Sequence, residues 1–114
     1  MRSGYYKDVP ADPIEKYGSV GAEIRWLIRA EEGSGAFSMR VVTIQPGGHI
    51  GLHSHAEEHQ IFVLSGQGRA LSGGRGAEMA RGAFLHLLGG EEHIFENAGS
   101  DSLEFICCIS NPDK

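Results

Sequence analysis

Short apolar runs, each closed by a glycine-rich turn, leave this chain little to fold into except β-strands. Seven runs of four to nine residues read as strands: Glu23–Arg29, Phe37–Gln45, Gln60–Leu64, Gly68–Leu71, Phe84–Leu88, His93–Glu96 and Leu103–Ser110. Between them lie EEGSG, PGG, SGQG, SGGRG, LGGEE and NAGSD, turn sequences in which glycine supplies backbone angles that other residues resist. No window keeps a 3.6-residue apolar period, and only Asp12–Tyr17 reads as a short helix or turn. The expectation is an all-β fold, a sandwich or barrel of many short strands, with residues 1–114 as one domain.

Charge and cysteine usage narrow the partners. The net charge is −5, with no basic run, so nucleic acid and anionic membrane are excluded as expected partners. The N-terminus has no apolar signal region, and no apolar stretch approaches the ~18 residues a membrane span needs. A cytoplasmic location is the expectation. The two cysteines, Cys107 and Cys108, are adjacent. On a strand they point to opposite faces and cannot bridge, so no disulfide framework is expected.

The chemistry concentrates in HSHAEEHQIFVL, His53 to Leu64. On a strand His53 and His55, spaced i, i+2, leave the same face. His59 follows after Ala56–Glu58 and leads directly into the apolar run. A helical zinc site is the competitor, because His55 and His59 are spaced i, i+4. It fails in detail: the position after the first histidine is Ala56 rather than glutamate, and Gly47, Gly48, Gly51 and Gly66 flank the segment. A lone histidine here would read as a solvated strand end. Three together read as ligands, since neutral imidazole is the commonest metal-binding side chain. The run EEHQIF (Glu57–Phe62) is echoed by EEHIFE (Glu91–Glu96), which brings His93 into a strand in the same way.

Two spaced motifs here resemble those of the cupin family. The first, G-x5-H-x-H-x3-E-x6-G, is occupied without gaps by Gly47, His53, His55, position 59 and Gly66. The second, G-x5-P-x-G-x2-H-x3-N, is met by Gly82, Gly90, His93 and Asn97, with Leu88 where proline is usual. The resemblance spans Gly47 to Asn97 and implies a small antiparallel β-barrel or jelly roll. His59 stands where most cupins carry glutamate. The resemblance therefore implies a site of four histidines, His53, His55, His59 and His93, as in small single-domain manganese-binding cupins. The approach from Met39 to Gly48 and the EFICCI ending also fit that group. One divalent ion per chain is implied, manganese or iron, with nickel, copper or zinc as the other options. Four neutral imidazoles would leave its full charge on the site and two coordination positions open, which favours exchange of small ligands.

Strand parity sketches the pocket around such an ion. Leu103, Phe105, Cys107 and Ile109 share one wholly apolar face of the last strand. The same parity turns Ile61, Val63 and Phe95 inward. The expected wall is Ile50, Ile61, Val63, Phe95, Phe105, Cys107 and Ile109, with Arg40 as a cation for a substrate carboxylate. His49 reads as a rim residue and His86 as an ordinary strand histidine. Glu57, Glu58, Glu91 and Glu92 read as an acidic rim that includes candidates for orienting the histidines. Gly73–Gly76 reads as a hairpin turn, since no Lys-Ser/Thr follows. The function expected is dioxygenase-like oxidation of a small phenolic, enolic or keto-acid substrate. The alternatives are a non-redox isomerase or lyase on a sugar or keto acid, and a ligand- or metal-binding module without turnover. A homodimer is expected to cover apolar residues such as Phe62 and Leu64.

Overall fold

A computed structural model describes residues 1–111. The period-2 patterns behave as barrel strands should. On β4 (His59–Ser65) His59, Ile61 and Val63 are buried while Gln60 and Phe62 are exposed, and on β9 (Leu103–Ser110) Leu103, Phe105 and Cys107 are buried. Apolar side chains such as Ile61, Val63, Leu103 and Phe105 each contribute about 1.5–3 kcal/mol when removed from water. A sheet with one apolar face gains most by curling on itself. The remaining strands are β1 (Asp12–Ile14), β2 (Val20–Ile28), β3 (Phe37–His53), β5 (Gln67–Ser72), β6 (Arg75–Ala80), β7 (Phe84–Leu87) and β8 (His93–Asn97). All pairings are antiparallel, in the order β6-β5-β8-β3-β9-β4-β7, with β2 laid against β3 and β1 against β2. Val63 exchanges backbone hydrogen bonds with Ala83 and Gly82 at 2.9 and 3.0 Å, which draws the far end of the sheet inward. The fold is the expected all-β jelly-roll barrel, nearly closed.

β3 runs longer than its apolar pattern suggested. The expected strand ends at Gln45, yet β3 continues through Pro46–Gly48 to His53 and changes partner on the way. Phe37 to Ile44 pair with β9, and His49 to His53 pair with β8. The corner depends on Gly48, where a Cβ would meet the Val20 carbonyl oxygen at 2.6 Å. Proline and glycine here bend the strand and do not end it. Asp12–Tyr17 is no helix: Asp12–Ile14 form β1 and a single 3-10 turn follows at Lys16–Gly18. β6 was not expected as a strand because only Met79 along it is buried. The Gly73–Gly74 pair makes the hairpin turn between β5 and β6. Among the described residues no helix is long and apolar enough to cross a membrane.

The core lies between the inner faces, with Val42, Ile44, Ile61, Val63, Met79, Phe95, Leu103 and Phe105 at 4% exposure or less. Asn97, the last residue of the second motif, is structural. Its Nδ2 donates to the carbonyls of Ile44 and Asp101, and its Oδ1 accepts from Gly99 N–H, tying β8 to the corner of β3. Phe62 and Phe84 remain exposed on the outer face, while Leu64 is partly buried.

Candidate metal centre

The histidines meet at one end of the barrel. His53 closes β3, His59 opens β4 and His93 opens β8, while His55 sits in the connection after β3, beyond the strand that carries His53. Backbone bonds fix that connection, since Gly90 N–H donates to the His55 carbonyl at 2.7 Å. His53 and His93 face each other across the β3–β8 ladder with ring centroids 4.3 Å apart. His55 and His59 lie at 4.3 Å, and His59 and His93 at 5.0 Å. The ligand nitrogens of His53, His55 and His93 all lie within 4.8 Å of one another. His59 stands outside that trio, although its Nε2 touches the Nε2 of His55.

A shared device aims three of the rings. Nδ1–H of His53 donates to the Gly51 carbonyl at 2.7 Å, that of His55 to Glu57 at 3.0 Å, and that of His93 to Glu91 at 2.8 Å. With Nδ1 carrying the proton, Nε2 presents a lone pair inward, the form a metal ion needs. Two of the acidic residues expected to orient histidines therefore do so through their main chain. The Glu57 carboxylate, at 3.4 Å, is farther from His55 than its own carbonyl.

Burial keeps the rings of His53, His59 and His93 neutral. It lowers the pKa of His53 and His93, each partly offset by the carbonyl its Nδ1 meets. His59 falls to about 2, through burial first, then the Arg40 cation, and then the repulsion a proton on it would meet from any proton on His55, His93 or His53. His93 Nε2 is buried with no hydrogen-bond partner, an arrangement that normally costs about 1–3 kcal/mol. Lone pairs that converge without a proton between them repel unless a cation lies among them. The residues present thus fit a divalent transition ion. His49 and His86 stand apart: His49 pairs with Glu96 on the ladder, and His86 is exposed with its Nε2 2.6 Å from Glu58 Oε2.

A cavity of about 280 Å³ opens beside the histidines, lined by Arg40, Val42, Ile50, Phe95, Phe105 and Cys107 and, from the N-terminal part of the chain, by Pro13–Tyr17, Ile24 and Trp26. Three residues expected in its wall lie elsewhere. Ile61 and Val63 are packed in the core, and Ile109 packs against that core, because the cavity extends toward β2 and β3, away from β4. Sequence reasoning also missed the lining residues Pro13–Tyr17, Ile24, Trp26 and Val42. Trp26 had a legible signal, since Ile24 and Trp26 share a parity on an expected strand. Tyr17 had none: it takes a left-handed φ of 63° without being glycine, and its ring stacks on His53 at 4.4 Å. Gly51 admits it, because a Cβ there would collide with the Tyr17 carbonyl.

Arg40 gives the cavity its polarity. Its guanidinium lies over the Trp26 ring at 5.1 Å, its Nη2 is 3.2 Å from Cys107 Sγ, and its buried Nε has no partner. No carboxylate among the described residues lies within ion-pair distance of it. Imidazoles, a cation without a carboxylate partner and largely apolar walls therefore meet in one cavity.

Residues 40–109 match the Cupin_2 family, described as a cupin domain. The chain belongs to the cupin family. It is 34% identical over 67 residues to an oxalate-binding protein of Thermotoga maritima, covering 58% of this chain and 55% of that one. The chain spans about half the length of the curated relatives it matches. In structure it is similar to the polyketide cyclase RemF of Streptomyces resistomycificus, with a TM-score of 0.88 and 26% identity over 96% of this chain and 79% of that one. A Thermotoga maritima protein described as a predicted oxalate decarboxylase superposes with a TM-score of 0.86 and 25% identity, covering 97% of this cupin and all of that chain.

Proposed function

We propose that this cupin is a metal-dependent oxidoreductase of dioxygenase type acting on a small phenolate, enolate or keto acid. The observation that carries the reading is an anion-suited cavity, with Arg40 in its wall, that opens on converging imidazole nitrogens. A divalent ion held by His53, His55, His59 and His93, manganese or iron ahead of nickel, copper or zinc, supplies Lewis-acid charge and an electron-transfer route when bound. The chain does the remainder. Arg40 holds a carboxylate or enolate oxygen, and a guanidinium does this well because its donors form a rigid fork. Phe95, Phe105 and Trp26 grip the planar apolar body and exclude water, which strengthens the charge interactions. Tyr17 closes the N-terminal side against His53.

The test is dioxygen consumption by the protein reconstituted with each metal, across a panel of phenolics and keto acids. Uptake with manganese or iron and an anionic substrate, abolished by His93→Ala, is the expected result. One observation favours a second reading, a binding module without turnover: the relative at 34% identity is an oxalate-binding protein. Saturable anion binding with no dioxygen consumed and no product formed would decide for it.

A further inference from the structure

His59 is the one imidazole of the four whose Nδ1 meets no carbonyl. The reason is local. The three others find an acceptor two residues away in the chain, in Gly51, Glu57 and Glu91. For His59 the residue two positions back is Glu57, whose carbonyl is already taken by His55. His59 is moreover paired on both sides, with Leu87 on β7 and Ile109 on β9. Its Nδ1 instead lies 2.8 Å from Cys107 Sγ.

The topology puts that sulfur in place. β9 runs between β3 and β4, and Cys107 is directly opposite Arg40 on one side. On the other side it is diagonal to His59, which pairs two residues farther along. Cross-strand and diagonal neighbours on one face are within reach of long side chains. Arg40 Nη2 donates to the same sulfur at 3.2 Å. The same Nη2 lies farther from His59 Nδ1, at 3.4 Å.

We propose that Cys107, fixed by Arg40, is the positioning residue for His59: its sulfur accepts the Nδ1 proton and so keeps the Nε2 lone pair directed at the metal site. The inference rests on the metal-site reading above and adds the residue that completes it. A partner that orients a ligating histidine typically governs metal affinity by about 10–100-fold. The sulfur is a weaker acceptor than a carbonyl, and it is carried by a side chain, so this ligand alone depends on a replaceable neighbour.

The experiment has two arms. In the metal-free wild-type protein, ¹⁵N NMR of the imidazoles should show the His59 proton on Nδ1; a proton found on Nε2 overturns the proposal without any variant. In the second arm, manganese titrations compare wild type with Cys107→Val and Cys107→Ser. Valine fills the space and accepts nothing, so affinity should fall by about 10–100-fold. Serine offers an oxygen and should recover most of it. Equal losses in both variants, or wild-type affinity in Cys107→Val, overturn the assignment. Should the wild-type chain bind no divalent ion, the metal-site reading falls, and the His59 tautomer still decides this one.

Discussion

The inner and outer faces of the curled sheet use the same strands and nearly the same residue types, yet one holds the site and the other meets water. Phe105 is 1% exposed and Phe84 is 80% exposed. His93 is buried with an unsatisfied Nε2, whereas His86 is exposed and bound to Glu58. Cys107 touches His59, and Cys108, its neighbour in the chain, faces the other way and is only partly buried. A single residue of parity separates the members of the last pair. What a side chain does here follows from the face it occupies more than from its chemistry, because the barrel surrounds only one face with other strands.

The comparison can be broken most directly by truncation. Phe105→Ala should cost about 3–5 kcal/mol in urea unfolding, since it removes a ring packed against Phe95 and the rest of the core. Phe84→Ala should stay within about 0.5 kcal/mol. A larger Phe84 loss that depends on protein concentration would instead mark the outer face as covered by a second copy, the homodimer expected from the sequence. Similar losses at both positions, independent of concentration, would mean that the faces are not distinct.

Metal binding sharpens the same contrast. His93→Ala should lower manganese affinity by more than the ~100-fold that loss of an orienting partner costs. His59→Ala should also lower it markedly, while His49→Ala and His86→Ala, which stand apart from the cluster, should leave it unchanged. Isothermal titration of the four variants checks this. A marked loss in His59→Ala establishes the fourth ligand, and equal affinity in all four would remove the site.

Acidity acts on the inner histidines. The folded-state pKa values of His53, His59 and His93 lie below the ordinary 6.5, so below that pH the unfolded chain binds protons the folded one refuses. Stability of the metal-free protein is therefore full above pH 6.5 and falls as the pH drops toward each folded value. With His59 lowered to about 2, its share between pH 7 and 5 is about 2 kcal/mol. Urea midpoints measured at both pH values should show the loss, and His59→Gln should reduce it. An unchanged slope in that variant would place the acid sensitivity elsewhere.

These contrasts also show what was legible in advance. The glycine rhythm and strand parity sufficed for the all-β barrel and for the inward set Phe95, Phe105 and Cys107, because period-2 burial is a local property of the chain. The motif spacing brought out His53, His55, His59 and His93. The far wall was not legible. Tyr17 reaches His53 only because a three-residue strand folds back on β2, and nothing in YGSVG encodes that long-range contact. Ile61 and Val63 had the correct parity, but parity reports which face a residue occupies and not how far along the barrel the cavity extends.

The smallest effect concerns the adjacent cysteines under mild peroxide. Burial raises the pKa of both thiols, with Arg40 opposing the rise at each, so neither is strongly nucleophilic in the metal-free protein. There the more accessible Cys108 should be oxidised first. Cys107 lines the cavity, and its sulfur touches His59, so added peroxide drawn to a bound manganese or iron ion would be held beside this thiol and could oxidise it. Loading either metal should therefore shift the bias toward Cys107, while zinc, which has no redox chemistry, should leave it alone. Peptide mass spectrometry of the two residues in the metal-free, zinc and manganese forms reads the shift. The same Cys108-first pattern in all three forms would mean that no redox-active ion sits within reach of the inner thiol. The inner face would then be a binding surface and not a reactive one.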